Sequence, residues 1–239
     1  MHEVHSPQET IHTWKSFLIH MASICLGLLM ALVLEQSVES MHRRHESNAL
    51  RNDLRAESRQ ILADAQQTEI AHNYELNWLK RRIAQVQSAV RERQPLGAPS
   101  PNQMPGWASP DIPIWRSAKA ASRTSLLTKG EVNAYAEVEY VVAHLETSLD
   151  ARNKAEDAVR SFNREFFAAA NGSMDLSEAS LEDQRRYLGL LCAASVAFDT
   201  YVYWLRTLIG AEHAVIAGKT NLKELYASEA NIINSRDPM

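Results

Sequence analysis

Glu69-x-x-His72 is a spacing typical of metal chemistry, because it sets a carboxylate and an imidazole one helical turn apart. Di-iron carboxylate bundles use two such pairs together with two further glutamates on facing helices. The spacing recurs at 9–12 and 39–42, but these positions lie in the N-terminal tail and at the edge of an apolar run. Glu69 and His72 are therefore weak candidate metal ligands. A histidine packed in a helix seam is the favoured interpretation, and no cofactor is expected.

The other reactive side chains form no recognisable catalytic pattern. Cys25 and Cys192 are far apart and have neither CxxC nor Cys/His spacing, which argues against a disulfide framework or a zinc knuckle. No Ser/His/Asp arrangement, phosphate loop or nucleotide fingerprint is visible in the sequence. The formal net charge of −4 argues against a bulk nucleic-acid binder. We therefore expect no enzymatic activity and no nucleic-acid partner.

An apolar run near the N-terminus predicts one transmembrane helix at 14–38, after a tail at 1–13. Its centre, FLIHMASICLGLLMALVL (17–34), covers about 27 Å at 1.5 Å per residue, close to the ~30 Å hydrocarbon core of a bilayer. A buried core helix or a signal peptide is the alternative, but the tail is acidic and histidine-rich instead of basic. The residues expected at the membrane interface are Trp14, Lys15, Glu35, Arg43 and Arg44.

Two further features of this segment bear on orientation and association. Arg43 and Arg44 are followed by more arginines, whereas only Lys15 precedes the span, so the positive-inside rule favours a cytoplasmic over a periplasmic C-terminal part. Gly27-x-x-x-Ala31 is a small-residue pattern that lets two membrane helices approach closely, and it predicts helix association. Membrane lipids and a protein partner or a second copy are thus the expected partners.

The stretch GLLMALVLEQSVESMHRRH (27–45) resembles bacterial single-span proteins of uncharacterised type. In these, the span ends in a Gly-Leu-Leu-x-Ala-Leu-x-Leu-Glu-Gln pattern and a His/Arg-rich juxtamembrane helix follows. A looser similarity is to the DUF6090-type proteins. The resemblance covers about 40 residues and implies a protein of the bacterial inner membrane. It implies no activity and transfers no functional residue.

Residues 39–93 contain neither proline nor glycine and predict a long stalk helix continuous with the anchor. From His72 to Val90 its apolar side chains recur at alternating spacings of four and three, as on one face of an amphipathic helix. Six prolines in 94–113 then predict a loop with extended segments. Trp107 and Trp115 stand near the end of this loop. They either fold it back onto the helices or form a surface for a partner.

Residues 114–239 are expected to supply the remaining helices. A short helix is expected first, and Thr128 has capping-box spacing to Glu131 at the start of a second long helix. On that helix Arg152 and Glu156 occupy seam positions, where a polar pair would fix register. Ser180 begins a third long helix and Thr220 a short last one. The fold class is thus all-α, with one transmembrane helix continuing into an elongated antiparallel helical bundle of coiled-coil type.

The order of the helices predicts how they lie relative to one another. If the first long helix leads away from the membrane, the 94–113 loop lies at the distal tip and the second long helix returns alongside it. Because the second helix is shorter, a stalk at Met41–Leu54 would lack partners within the chain. Its apolar residues Leu50 and Leu54 are therefore expected, with Trp107 and Trp115, to form a surface for a partner or a second copy.

The sequence favours a non-catalytic, membrane-anchored helical scaffold or assembly subunit that binds protein partners. The alternative is a helical-bundle sensor that holds a small ligand or a metal and acts through a partner.

Overall fold

The computed structural model describes residues 14–98, 106–168, 173–174 and 176–235. The expected N-terminal tail and part of the proline-rich loop lie outside these residues. Asn171 and Gly172, whose residue types predict a helix stop, lie outside them as well. The elements are α1 (Trp14–Glu92), α2 (Pro113–Ala120), a short 3-10 helix (Arg123–Leu126), α3 (Lys129–Glu165), β1 (Phe167–Ala168), β2 (Ser173–Met174), α4 (Leu181–Ile216) and α5 (Leu222–Ser235). The two strands are two residues each and pair antiparallel. The all-α prediction, with a long apolar N-terminal helix leading into a helical bundle, is confirmed.

The chain divides into two compact units, Met1–Leu50 and Arg51–Met239, and α1 contributes to both. In the first unit the apolar run leaves its side chains exposed, for example Leu28 at 61% and Met30 at 64%. In the second unit, α1 buries the apolar face that its periodicity predicts, including Leu76, Leu79 and Val86. The same helix is therefore apolar and open at its start and amphipathic and packed afterwards.

Helices α3 and α4 run antiparallel. Near the end of α3, Glu165 forms a two-bond ion pair with Arg186 at the start of α4. Further along, His144 of α3 stacks on Trp204 of α4 with ring centroids 4.3 Å apart. Helix α1 is also antiparallel to α4. Glu69 of α1 binds Arg206 near the end of α4 at 2.9 Å, whereas Gln184 at the start of α4 donates a hydrogen bond to the carbonyl of Gln94, just after α1 ends.

Helices α1 and α3, in contrast, are parallel, so the expected return of the second long helix is wrong. Arg51 binds Glu131 through Nε at 2.6 Å, and further along both helices Glu75 binds Arg152 at 3.2 Å. Residue numbers thus rise together on the two helices. The turn after α3 therefore lies at the same end as the end of α1, where Leu96 and Leu176 join one apolar cluster.

The segment between α1 and α3 makes the return that was expected of α3. Gly97 accepts a hydrogen bond from Arg82, and Ala108 accepts one from Thr68. An extended chain advances about 3.3 Å per residue against 1.5 Å for a helix, so a loop of this length can pass back along many turns of α1. The described residues 106–113 consequently lie back along α1 and not at a distal tip, and α3 begins beside the early part of α1.

This geometry also corrects the expected open stalk surface. Leu50 and Leu54 are both fully buried, at 0% exposure. The ion pair between Arg51 and Glu131 gives the reason, because it places the first turn of α3 beside this part of α1. Leu50 and Leu54 therefore do not form a free partner surface.

Local sequence signals fix where the helices begin. Thr128 and Glu131 form a reciprocal capping box at α3, and Ser180 and Asp183 form another at α4, as their spacing predicts. Before α5, the Asn221 side chain accepts the backbone N–H of Lys223, so Asn221 takes the capping role expected of Thr220.

Candidate functional site

Glu69 and His72 are buried, and the structure gives them partners other than a metal. The Glu69 carboxylate accepts a hydrogen bond from Arg206 Nε at 2.9 Å. His72 Nδ1 lies 2.9 Å from the Thr68 carbonyl, so in the neutral ring Nδ1 donates this bond. Burial lowers the pKa of His72 to about 4, which keeps the ring neutral. Within the described parts of the chain, no group of three His, Cys, Asp or Glu side chains could hold a metal ion.

Arg152 is the centre of a buried polar layer that also contains Glu69, His72 and Glu75. Its guanidinium group binds Glu75 at 3.2 Å and lies 4.5 Å from the ring centroid of Phe198 and 5.3 Å from that of Trp107. The Glu75 pKa is raised because burial outweighs the attraction of Arg152. A buried ion pair contributes little net stability but is costly to break, so this layer is suited to fixing the register of α1, α3 and α4.

The two tryptophans fold the connecting segment onto the bundle. Trp107 is half-buried and meets the His72 ring edge-on, with centroids 4.9 Å apart. Trp115 is only 2% exposed, stacks on Tyr135 and donates its indole N–H to Glu139. The alternative in which they pack the loop is therefore the one observed, and Trp115 offers no partner surface.

Glu57 caps the start of α2, a role that the sequence patterns do not predict. Its carboxylate accepts the backbone N–H groups of Ile114 and Trp115, which are free at the start of α2. Burial raises the Glu57 pKa, and these two bonds oppose that shift. No local sequence pattern predicts such a cap, because the acceptor comes from a different helix.

Residues expected at the membrane interface are exposed in the first unit. Trp14 is 73% exposed and stacks on Phe17, and Arg43 pairs loosely with Glu39 at 3.8 Å. Lys15, Glu35 and Arg44 are exposed as well, as are Gly27 and Ala31 on the apolar segment. A side chain added at Gly27 would meet nothing within 4 Å. These residues are thus open to lipid or to another helix.

Two helices are long and apolar enough to cross a membrane. The apolar window that begins at Phe17 has a mean hydropathy of 2.5 and is 0% buried, whereas the window in α4 has 1.4 and is 33% buried. Helix α4 packs against both α3 and α5. The core helix of a soluble domain passes the same test, so the N-terminal segment is the candidate membrane helix.

The second unit also contains an open groove of about 430 Å³ between α3, α4 and α5, which we call the aromatic groove. Its aromatic lining is Tyr140 from α3, Tyr203 and Trp204 from α4, and Tyr226 from α5. Glu137 and Glu229 supply its two carboxylates. None of these residues was singled out in the sequence. Tyr203 and Trp204 are adjacent aromatic residues in the sequence, but only the packing shows that they line one groove with Tyr226.

A close approach between α4 and α5 holds the α5 side of the groove in place. A Cβ at Gly210 of α4 would lie 2.5 Å from the Cα of Glu229 on α5. Only glycine permits this approach, and it fixes the position of the Glu229 backbone against α4.

Comparison of the chain with protein-family models, curated proteins and solved structures finds no match.

Proposed function

We propose that this protein is a non-catalytic, membrane-anchored helical scaffold or assembly subunit whose bundle binds a protein partner. The observation that carries the proposal is the contrast within α1. The window beginning at Phe17 is entirely unburied, whereas later turns of the same helix are packed. Exposing this much apolar surface to water is unfavourable, and a lipid environment removes the cost. The membrane is the bacterial inner membrane, crossed once.

The anchor is tested by comparing the full chain with a variant that lacks residues 1–46. The full chain should stay with membranes after a carbonate wash, and the shortened variant should be released and remain strongly helical. Retention of the shortened variant would contradict a single anchor, because the apolar window of α4 would then have to bind the membrane.

The bundle is proposed to lie in the cytoplasm, in accord with the arginines that follow the span. Cys192 is exposed in the second unit and provides a native reporter of sidedness. In a Cys25→Ser variant, a membrane-impermeant maleimide should label Cys192 only after intact spheroplasts are permeabilised. Labelling in intact spheroplasts would place the bundle in the periplasm.

Partner binding is supported by the exposed aromatic side chains on α3, α4 and α5, since tyrosine and tryptophan are enriched where proteins bind one another. The test is crosslinking in native membranes followed by purification of the full chain. A discrete crosslinked partner or a homodimer supports the scaffold. A chain that remains monomeric at native abundance, with no crosslinked species, would refute it.

A further inference from the structure

The four aromatic side chains of the aromatic groove do not simply cover apolar core. Tyr140 and Tyr203 are 53% and 48% exposed, and Tyr226 is 49% exposed. Tyr203 meets Trp204 edge-on at 5.4 Å between centroids, and Tyr140 meets it edge-on at 6.3 Å. The faces of aromatic rings are electron-rich, and four such rings line this one space. Such rings attract positive charge, and most strongly a weakly hydrated organic cation.

Two carboxylates line the same groove and have no basic partner within the described part of the chain. Glu137 accepts a hydrogen bond from the Tyr226 hydroxyl at 3.3 Å. Glu229 is 8% exposed, and its Oε1 atom has no hydrogen-bond partner among the described residues. Burial and the nearby Glu137 raise the pKa of Glu229 to about 7. A buried acceptor without a partner is unfavourable, and a bound cation would satisfy it.

We propose that the aromatic groove is a binding site for an organic cation, with an alkylammonium or guanidinium group between Trp204 and the Glu137 and Glu229 carboxylates. The volume of about 430 Å³ is in the range of small-ligand pockets and exceeds what a bare ion requires. Magnesium and calcium ions are the wrong occupants, because each takes six or more oxygen ligands and Mg²⁺ gives up its own water reluctantly. The cation is carried either by a free amine or by a basic side chain of a protein.

The site is tested on the full chain in maltoside micelles, which add no cationic headgroup. Calorimetric titrations use choline and agmatine as free cations, and short capped peptides with one lysine or one arginine as bound ones. 3,3-Dimethylbutan-1-ol is the neutral analogue of choline, and MgCl₂ is the metal control. We expect saturable binding of at least one cation, with the neutral analogue and Mg²⁺ weaker by tenfold or more.

Two variants locate the binding in the groove. Trp204→Ala should weaken the best cation by at least about tenfold, because the aromatic face is lost. Glu229→Gln removes the charge and retains the size of the side chain, and it should weaken binding comparably. Glu224→Gln, an exposed change on the same helix, is the matched control and should bind as the wild type does. Circular dichroism shows that each variant is folded, and Glu229→Gln decides the outcome if Trp204→Ala is not.

The two sources of cation are distinguished by which titrant binds more tightly. Tighter free amines assign a small-molecule site, and tighter peptides assign a basic side chain of a partner; each supports an organic-cation site. The proposal is overturned if no cation saturates, if the neutral analogue binds equally well, or if Glu229→Gln and Glu224→Gln bind alike. None of these results alters the membrane anchor or the crosslinking test of the scaffold.

Discussion

Replacing Glu212 by glutamine tests how a buried acid controls the pH dependence of folding. Glu212 lies on α4 and is fully buried, with 0% exposure. Burial raises its pKa to about 8; the Ser58 hydroxyl partly opposes this shift, and the Glu57 carboxylate adds to it. At neutral pH the folded protein therefore holds a proton that the unfolded chain releases. Glutamine has nearly the same size and no ionisable group.

The magnitude follows from the separation between the folded pKa of about 8 and the ordinary value of 4.5. Each unit corresponds to about 1.4 kcal/mol, so the full separation is on the order of 5 kcal/mol. Below pH 4.5 both states are protonated and ionisation has no effect on stability. Between pH 4.5 and 8 the unfolded state alone loses the proton, so stability falls as pH rises. Above pH 8 the loss reaches its limit.

The assay is urea unfolding of the full chain in micelles, followed by circular dichroism at pH 5, 6.5 and 8. We expect Glu212→Gln to resemble the wild type at pH 5 and to become progressively more stable than the wild type as pH rises. Glu229, with a pKa near 7, titrates in both proteins, so its contribution cancels in the difference. A stability difference that is independent of pH, or a wild type that gains relative to the variant at pH 8, would refute the reasoning.

Three further predictions concern packing, charge and membrane association. Gly210→Ala should destabilise the bundle by about 1–3 kcal/mol in the same urea assay, because its Cβ would lie 2.5 Å from the α5 backbone. The control Gly189→Ala, in open space on the same helix, should instead stabilise by about 0.5–1 kcal/mol, and equal effects would contradict the close approach. Arg152→Met should cost about 3–5 kcal/mol, because Glu75 is left buried without its cation; a loss under 1 kcal/mol would show that water reaches the pair. Gly27→Ile should reduce the dimer fraction crosslinked in membranes, and an unchanged fraction would remove this small-residue pattern from any interface.

Local patterns were sufficient where the physical cause is local. The start of α3 follows from the spacing of Thr128 and Glu131, since a side chain three residues on can satisfy a free backbone N–H. The buried face of α1 follows from apolar residues at helical spacing, such as Leu76 and Leu79. Neither inference requires knowing what the helix packs against.

The candidate site could not be read in the same way. Glu137 lies on α3, Trp204 on α4, and Tyr226 and Glu229 on α5, and no sequence spacing links the three helices. Their meeting depends on the antiparallel pairing of α3 with α4 and on the close approach at Gly210. Glu69 and His72 show the converse, because their spacing is typical of a metal site but the folded chain gives them other partners. Glu69 binds Arg206, and His72 packs against Trp107.

The sequence by itself determined the apolar N-terminal helix, the all-helical class and the beginnings of the long helices, because these depend on composition, periodicity and neighbouring residues. Only the tertiary structure decided the direction of α3. An extended segment covers about twice the length of a helix per residue, so the proline-rich segment could either cap a tip or run back along α1. Contacts of Gly97 with Arg82 and of Ala108 with Thr68 select the second course. That choice makes α1 and α3 parallel and buries Leu54, because it lets α3 begin beside Arg51.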